Sequence, residues 1–255
     1  MMHELLRDEV WLSRLTGEIA EHSEIDKAIL PIGACEYHGT HLPYGTDSIA
    51  AESFATAFAR ELGNTVVLPL IGYGVSYHHL PWKWTISLSP ETLISIIRDV
   101  GRSLARNDIR KLLLISCHDS NPQPSHAAAR MLNDEFDITT AIFSGWQRRA
   151  RVLMADDWDI DPDHGGQSEM SIVLYGAPGT AKPENADNLE SAAPEMPVEL
   201  IGKFSDDRPD GYSGNAPAGS LEEGAAVVKA LTDDVVPFLR KLDANGWKRG
   251  AWIRE

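Results

Sequence analysis

The stretch from Pro31 to Ala51 holds the densest group of side chains that could perform chemistry. It follows an apolar run and carries four potential ligands among glycines, namely Glu36, His38, His41 and Asp47. Carboxylates and imidazoles are the protein ligands of divalent metals such as zinc and manganese. Their clustering in one loop predicts a metal-dependent hydrolase whose remaining ligands lie elsewhere in the chain.

Two predicted strands must bring these ligands together. Lys27 to Cys35 reads as a buried strand, and Lys111 to Cys117 reads as another, followed at once by His118. Sites in parallel α/β sheets form at the carboxyl ends of the strands. Glu36 and His118 are therefore expected at the same edge of the sheet.

The neighbours of Glu36 fit the same site. Residues two apart in extended backbone share a face, so His38 should point the same way as Glu36. Asp47 begins the next predicted helix and can fold back over the same edge. Cys35 and Cys117 each precede a predicted ligand, and alternation should turn both thiols away from the metal as small buried apolar residues.

His164 and Glu169 form a weaker pair. On a regular helix two residues five apart diverge by about 140°. Gly165 and Gly166 would let His164 precede the helix while Glu169 lies in its first turns. Both side chains could then point into one cleft.

The composition and net charge of the chain exclude some classes of function. A chain of 255 residues with 43% hydrophobic and 24% charged residues is typical of a globular protein, and we expect a single domain spanning 1–255. The net charge of −15 argues against nucleic acid and anionic membranes as partners. No apolar run reaches the roughly 20 residues of a membrane span, and the acidic N-terminus does not resemble a signal peptide. Two cysteines form no disulfide framework, so a cytoplasmic location is predicted.

Strands and helices alternate along the sequence, which predicts an α/β fold with a mostly parallel sheet flanked by helices on both faces. Ser89 and Pro90 are a helix start, and Ser220 with Glu223 is a capping-box pattern. The predicted strands are 27–35, 65–70, 111–117 and 138–144, and the predicted helices are 3–21, 48–62, 90–106, 123–134, 170–175 and 220–242. Pro69 suggests a strand end or an edge strand.

A long aromatic loop, 71–88, is predicted to shape the pocket, since structureless loops of this length are usually functional. Its histidines and tryptophans are expected to rim the site: His78, His79, Trp82 and Trp84. Packing within the loop, or a contact between subunits, is the alternative. The polar stretch 177–219 is expected to run over the surface and to help shape the pocket.

Several motifs together resemble the creatininase (creatinine amidohydrolase) family. Glu36 to Pro43, followed by Gly45-Thr46-Asp47, is similar to its signature. Further similar segments follow in the family's order: Thr85 to Thr92, Ile115 to Asn121, His164 to Ser171 and Gly211 to Gly214. The resemblance covers most of the chain.

The resemblance implies a three-layer α/β/α fold and two divalent ions, Zn²⁺ or Mn²⁺, in each subunit of a homo-oligomer, commonly a hexamer. It implies that Asp47 bridges the ions and that Glu36 and His118 complete one site. His38 and a further carboxylate, for which Glu169 is our choice, would complete the other. His164 would be a proton shuttle. Apart from the resemblance, His41 is expected to be a structural histidine or one that orients a ligand, since such partners commonly orient metal ligands.

Departures from the family pattern bear on the substrate. Ser120 stands where creatininase has a glutamate, and we assign it to substrate binding; Ser116, Cys117 and Met170 also depart. These changes argue against creatinine itself. The leading prediction is hydrolysis of a small cyclic amide or another non-peptide C–N bond, in which metal-activated hydroxide attacks a carbonyl.

Other functions stay open at this point. Within the family they are a deformylase, a peptidase of a modified peptide, and a ring-opening hydrolase of a cyclic keto-sugar or inositol derivative. Outside hydrolysis they are a metal-dependent isomerase or lyase, and an inactive relative that serves as a binding subunit.

Overall fold

The computed structural model describes residues 9–156, 158, 163–189 and 201–248. Four parallel strands form the main sheet in the order β2-β1-β3-β4. Their bounds are Lys27–Ile32 (β1), Thr65–Val67 (β2), Lys111–Ser116 (β3) and Thr139–Phe143 (β4). A separate antiparallel pair joins Asn188–Leu189 (β5) to Gly214–Asn215 (β6).

The described residues contain seven α-helices and several short 3-10 turns. The helices are Gly17–Glu21 (α1), Thr46–Leu62 (α2), Pro90–Arg106 (α3), Pro122–Phe136 (α4), Trp146–Leu153 (α5), Gln167–Gly176 (α6) and Leu221–Ala244 (α7). The 3-10 turns are Leu12–Arg14, Tyr77–His79, Pro183–Asn185, Phe204–Asp206 and Ala216–Ala218. Across the described residues, every helix is too short or too polar to cross a bilayer.

Alternation along the strands divides the core into two layers. On β1, Ile29 packs with α2, α6 and α7, whereas Leu30 packs with α3 and α4 on the opposite face. On β3, Ile115 and Leu114 divide in the same way. The sheet is thus buried between helices on both faces, which confirms the predicted three-layer α/β fold.

The crossovers explain where a site can form. The α2 connection leaves β1 on one face of the sheet, and α3 and α4 cover the other face. The chain therefore changes direction between β1 and β3, and a crevice opens at such a switch point. Ile32 of β1 pairs with Ser116 of β3, so the two strands end level with each other.

Most predicted elements are present with shifted ends, but one prediction is wrong and one helix was missed. The predicted helix over 3–21 does not form in the part of that segment that the structure describes. There, Trp11 forms a bridge to Val67, and only the Leu12–Arg14 turn and α1 are helical. Residues 1–8 lie outside the described chain. Helix α5 was missed, although its buried residues Trp146 and Ala150 lie four apart, as on one face of a helix. Strand β2 ends at Val67, and it is an edge strand as Pro69 suggested.

Helix capping agrees with the sequence in one place and in part in another. The Ser89 side chain accepts a hydrogen bond from Thr92 N, as the Ser-Pro start predicted. Ser220 likewise accepts from Glu223 N, 3.1 Å away. Glu223 does not return the bond. Its carboxylate instead accepts from Ser171 and Gln167, which fastens α7 to α6.

Candidate metal centre

Close packing aims Asp47 at the end of β1. Gly33 lies directly after β1, and a Cβ there would overlap Ser48 at the start of α2. The first turn of α2 can therefore approach the strand end, and Asp47 lies in that turn. Glu36, His38 and Asp47 are all buried, at 0%, 1% and 3% exposure.

Two groups of three ligand atoms meet at this edge and share one residue. The first group is Glu36, Asp47 and His118, and the second is His38, Asp47 and Glu169. In each group the ligand atoms lie within 4.8 Å of one another. A third group with the same property contains Glu36, His38 and His164.

The separations between ligand atoms suit a cation between them. His118 Nδ1 lies 3.2 Å from Glu36 Oε1 and 3.8 Å from Asp47 Oδ2. His38 Nε2 lies 3.7 Å from Asp47 Oδ2 and 3.6 Å from Glu169 Oε2. Ligands about 2.1 Å from a tetrahedral ion are about 3.4 Å apart, and these pairs cluster around that value.

Backbone carbonyls orient the imidazoles. His38 Nδ1 donates to Glu36 O at 3.1 Å, His118 Nε2 to Val75 O at 2.8 Å, and His164 Nε2 to Tyr37 O at 2.9 Å. The other nitrogen of each ring then faces the carboxylates. A carbonyl partner on the outer nitrogen is the usual way in which proteins orient a metal-binding histidine.

Several polar atoms in this cluster have no hydrogen-bond partner among the described residues. They are Glu36 Oε1 and Oε2, His38 Nε2 and Asp47 Oδ2. Burying such atoms without a partner is costly, about 1–3 kcal/mol each and more for charged groups. Divalent cations bound here would give such ligand atoms partners, so the residues present fit a metal centre.

Electrostatics within the cluster are strongly coupled. Burial opposes charge on His38, but the Asp47, Glu169 and Glu36 carboxylates outweigh it and raise the pKa of His38 to about 10. Burial also opposes charge on His118, yet Glu36 and Asp47 raise its pKa to about 10. Burial raises the pKa of Glu169 to about 8. Protons thus hold the cluster together when no metal is bound.

A glycine turn places His164 and Glu169 in the same site. Gly165 has a positive φ of 68°, and its N–H donates to Glu169 Oε2 at 2.6 Å. His41 Nε2 lies 2.6 Å from Gly165 O, so the buried His41 ring holds this turn from behind. Burial, with His38 and His79 nearby, lowers the pKa of His164 well below its usual value.

The first part of the aromatic loop is fastened to the strand ends. Asn121 is fully buried; its Oδ1 accepts from Val75 N at 3.0 Å and its Nδ2 donates to Gly33 O at 2.9 Å. Gly74 passes so close that a Cβ there would contact both Gly33 O and the Asn121 amide. This attachment positions the Tyr77–His79 turn beside Glu36. The role of Asn121 could not be predicted from its sequence position.

A cavity of about 120 Å³ opens over the cluster. It is lined by Glu36, Asp47, His78, His79, Cys117, His118, Asp119, Gln147, Asp163, His164, Glu169 and Phe204. Of the four predicted substrate-binding residues, His78 lines the cavity and Trp82, Trp84 and Ser120 do not. Trp82 stacks on Tyr37 with ring centroids 5.4 Å apart, and Trp84 is 78% exposed.

Other lining residues were not assigned to the site from sequence, namely Asp119, Gln147, Asp163 and Phe204. Cys117 also corrects an expectation, because it is buried in the cavity wall rather than turned away from it. Strand alternation does not apply to it, since β3 ends at Ser116. Asp119 and Asp163 adjoin the predicted site residues in the sequence, and that adjacency could have marked them. Gln147 and Phe204 come from helix α5 and the turn at Phe204, which are distant parts of the chain.

The creatininase family model, described as creatinine amidohydrolase, matches residues 15–239.

The chain belongs to the creatininase family.

It is thereby a metal-dependent amidohydrolase, and the family resemblance inferred from sequence is confirmed.

Individual relatives support the same family at low sequence identity. The chain is 27% identical over 218 residues to the mycofactocin precursor peptide peptidase of Mycobacterium ulcerans (strain Agy99), covering 82% of each protein. It is 24% identical over 235 residues to creatinine amidohydrolase of Pseudomonas putida, covering 84% of this chain and 88% of that protein. A crystal structure of creatinine amidohydrolase superposes with a TM-score of 0.81 at 21% identity, covering 91% and 97% of the two chains. Other solved creatininases include a manganese form and a mutant in a Zn–Zn form.

Proposed function

We propose that this chain hydrolyses the C–N bond of a small amide, with cyclic amides as the leading class, at a centre of two divalent cations. The observation that carries this proposal is the pair of buried ligand groups that share Asp47 beneath a small cavity. Glu36, Asp47 and His118 would hold one ion, and His38, Asp47 and Glu169 the other. The manganese and zinc forms of solved relatives support these two metals. Such ions acidify water and polarise a carbonyl.

Size and charge of the cavity support the substrate class. At about 120 Å³ it is smaller than the roughly 300–1,000 Å³ of pockets for drug-sized ligands. Five carboxylates line it, and neither Lys nor Arg is found among the described lining residues. Two divalent ions would offset four of these negative charges. Neutral or cationic amides are therefore favoured over anionic ones.

His164 is placed to move the proton that hydrolysis requires. Its Nε2 is committed to Tyr37 O, so the lone pair of Nδ1 faces the site, 3.9 Å from Glu36 Oε1. The lowered pKa keeps the ring neutral before turnover. Nδ1 can then accept a proton from the attacking water and return it to the leaving nitrogen.

Glu169 is suited to be the metal ligand that Ser120 cannot be. Ser120 lacks a carboxylate and does not line the cavity, whereas Glu169 Oε2 lies 3.6 Å from His38 Nε2. We propose that this arrangement completes the second metal site. The serine at position 120, where creatininase has a glutamate, supports an amide other than creatinine as the substrate.

The test combines metal analysis with turnover. Wild-type chain loaded with Mn²⁺ or Zn²⁺ should hold two ions and hydrolyse members of a panel of small cyclic amides. Asp47→Asn, nearly isosteric, should lose at least one ion and at least about 100-fold in kcat. Asp119→Asn, an exposed acid at the cavity mouth, should keep both ions and most of the rate.

Two outcomes contradict the proposal. If Asp47→Asn still held two ions per chain, Asp47 would not be the shared ligand, and the two-metal assignment would be wrong. Hydrolysis of short peptides, but of no small amide in the panel, would replace the substrate class with the activity for which the mycobacterial relative is named.

A further inference from the structure

His79 is a buried imidazole in the cavity to which no part of the metal centre or the proton transfer has been assigned. It ends the Tyr77–His79 turn, is 1% exposed, and lines the cavity. Its Nε2 lies 3.6 Å from Glu36 Oε1. It belongs to none of the three groups of potential metal ligands found among the described residues.

Ring packing, rather than hydrogen bonding, fixes its orientation. The His79 ring centroid lies 4.3 Å from that of His164, 4.8 Å from Phe204 and 5.7 Å from Trp82. Nδ1 is buried and has no hydrogen-bond partner within the described chain. The 3.6 Å separation of Nε2 from Glu36 is longer than a hydrogen bond. A rigidly held polar ring with unused hydrogen-bonding capacity is poised to meet a ligand.

The surroundings decide which nitrogen carries the proton. A neutral imidazole has a single N–H, on either Nδ1 or Nε2. The carboxylate oxygen of Glu36 lies on the Nε2 side, whereas Nδ1 has no hydrogen-bond partner among the described residues. The tautomer with the proton on Nε2 is therefore favoured, and it presents a donor to the cavity.

His79 and His164 consequently offer opposite functions from neighbouring rings. His164 donates its outer Nε2–H to Tyr37 O and presents an acceptor at Nδ1. His79 presents a donor at Nε2. Their rings are inclined at 31° to each other. An amide undergoing hydrolysis needs both functions, one at the water or leaving nitrogen and one at the carbonyl oxygen.

We propose that His79 is a catalytic residue that donates a hydrogen bond from Nε2 to the carbonyl oxygen of the substrate. As water adds to the carbonyl carbon, the π pair moves onto that oxygen, and the hydrogen bond strengthens while the proton stays on His79. When the C–N bond breaks, the pair returns, and the leaving nitrogen takes the proton that His164 received from the water. This role rests on the proposed function and concerns a different atom of the substrate.

Two variants separate donation from packing. His79→Phe keeps an aromatic ring in the stack but removes the donor, and His79→Gln keeps an N–H donor. In metal-loaded protein, His79→Phe should lower kcat about 100- to 1,000-fold with a change in KM below about threefold. His79→Gln should recover at least about tenfold of that loss. Tyr77→Phe, on the exposed side of the same turn, is the matched control and should match wild type.

Metal content and NMR give readouts that a structural role would not move. All variants should hold the same number of metal ions as wild type, and ¹⁵N-histidine spectra of the zinc form should show His79 as the Nε2–H tautomer. Loss of metal in His79→Phe, an Nδ1–H tautomer, or wild-type kcat in His79→Phe would each overturn the role of His79. If the wild-type protein held its metals but hydrolysed no amide, the proposed function would be overturned instead. The proposed hydrogen bond from His79 to a substrate carbonyl would then fall as well.

Discussion

His38 and His164 present the same kind of ring atom to the cluster, yet they are suited to different tasks. Each ring donates one N–H to a backbone carbonyl and turns its other nitrogen inward. His38 Nε2 lies within 4 Å of three carboxylates, whereas among the described residues His164 Nδ1 lies within that distance of Glu36 only. A ligand is best surrounded by opposite charge, and a proton carrier needs free access to substrate.

We therefore expect His164→Asn to keep the metal ions and lose turnover. Loss of the proton acceptor should lower kcat about 100- to 10,000-fold, while metal content measured by mass spectrometry stays at the wild-type value. His126→Asn, an exposed histidine on α4, is the control and should alter neither quantity. Loss of one ion equivalent in His164→Asn would make His164 a ligand through its group with Glu36 and His38.

The order of the sequence explains which site residues could be predicted. Glu36, His38 and Asp47 are neighbours in the chain, and His118 follows a strand whose apolar run is unmistakable. The strand-end rule is enough to bring them to one edge. His79 could not be distinguished from His78 by sequence. Both line the cavity, and the 3-10 turn in an aperiodic loop decides that His79 is the one held against Glu36.

At the level of elements, the loop 71–88 depends on contacts that leave no local pattern. Its first part is held by Val75, whose N–H donates to Asn121 and whose carbonyl accepts from His118. Both partners come from the end of β3 and the start of α4. The loop could be recognised from sequence as functional, but its path is set by tertiary hydrogen bonds some 40 residues away in the chain.

Asn121→Leu should therefore affect stability and the site together. The substitution leaves Val75 N and Gly33 O buried without a hydrogen-bond partner, and each such group lowers the free energy of unfolding by about 1–3 kcal/mol. It also removes the attachment of the turn that carries His79. We expect a lower denaturant midpoint and, in the fraction that remains folded, a lower kcat. Asn107→Leu, at an exposed helix end, is the comparison variant. Wild-type kcat in folded Asn121→Leu would show that the loop is positioned by other contacts.

For the whole molecule, the metal centre couples ion binding to protonation. His38 and His118, each with a pKa of about 10, carry protons at pH 7, and Glu169, with a pKa of about 8, is mostly protonated. Metal ligands must be deprotonated. Metal uptake at pH 7 should thus release about two to three protons per chain, measurable by calorimetry in buffers of different ionisation enthalpy. Release of less than one proton would contradict this coupling.

The same shifts predict how stability depends on pH. The folded pKa values of His38 and His118 exceed the ordinary histidine value near 6.5, so their contribution is fully present below about pH 6.5 and is lost as pH rises through about 10. Glu169 acts in the same direction between about pH 4.5 and 8, because it too binds its proton more tightly when folded. His79 and His164, with lowered pKa values, oppose this trend only below about pH 6.5.

Between pH 7 and 10 the metal-free chain should therefore become steadily less stable. The metal-loaded chain should change less, because its ligands are already deprotonated and their charges are neutralised by the ions. Denaturation midpoints at pH 7, 8, 9 and 10 for both forms would measure the difference. Parallel curves would mean that His38, His118 and Glu169 do not exchange their protons for metal, which would separate this cluster from the metal centre.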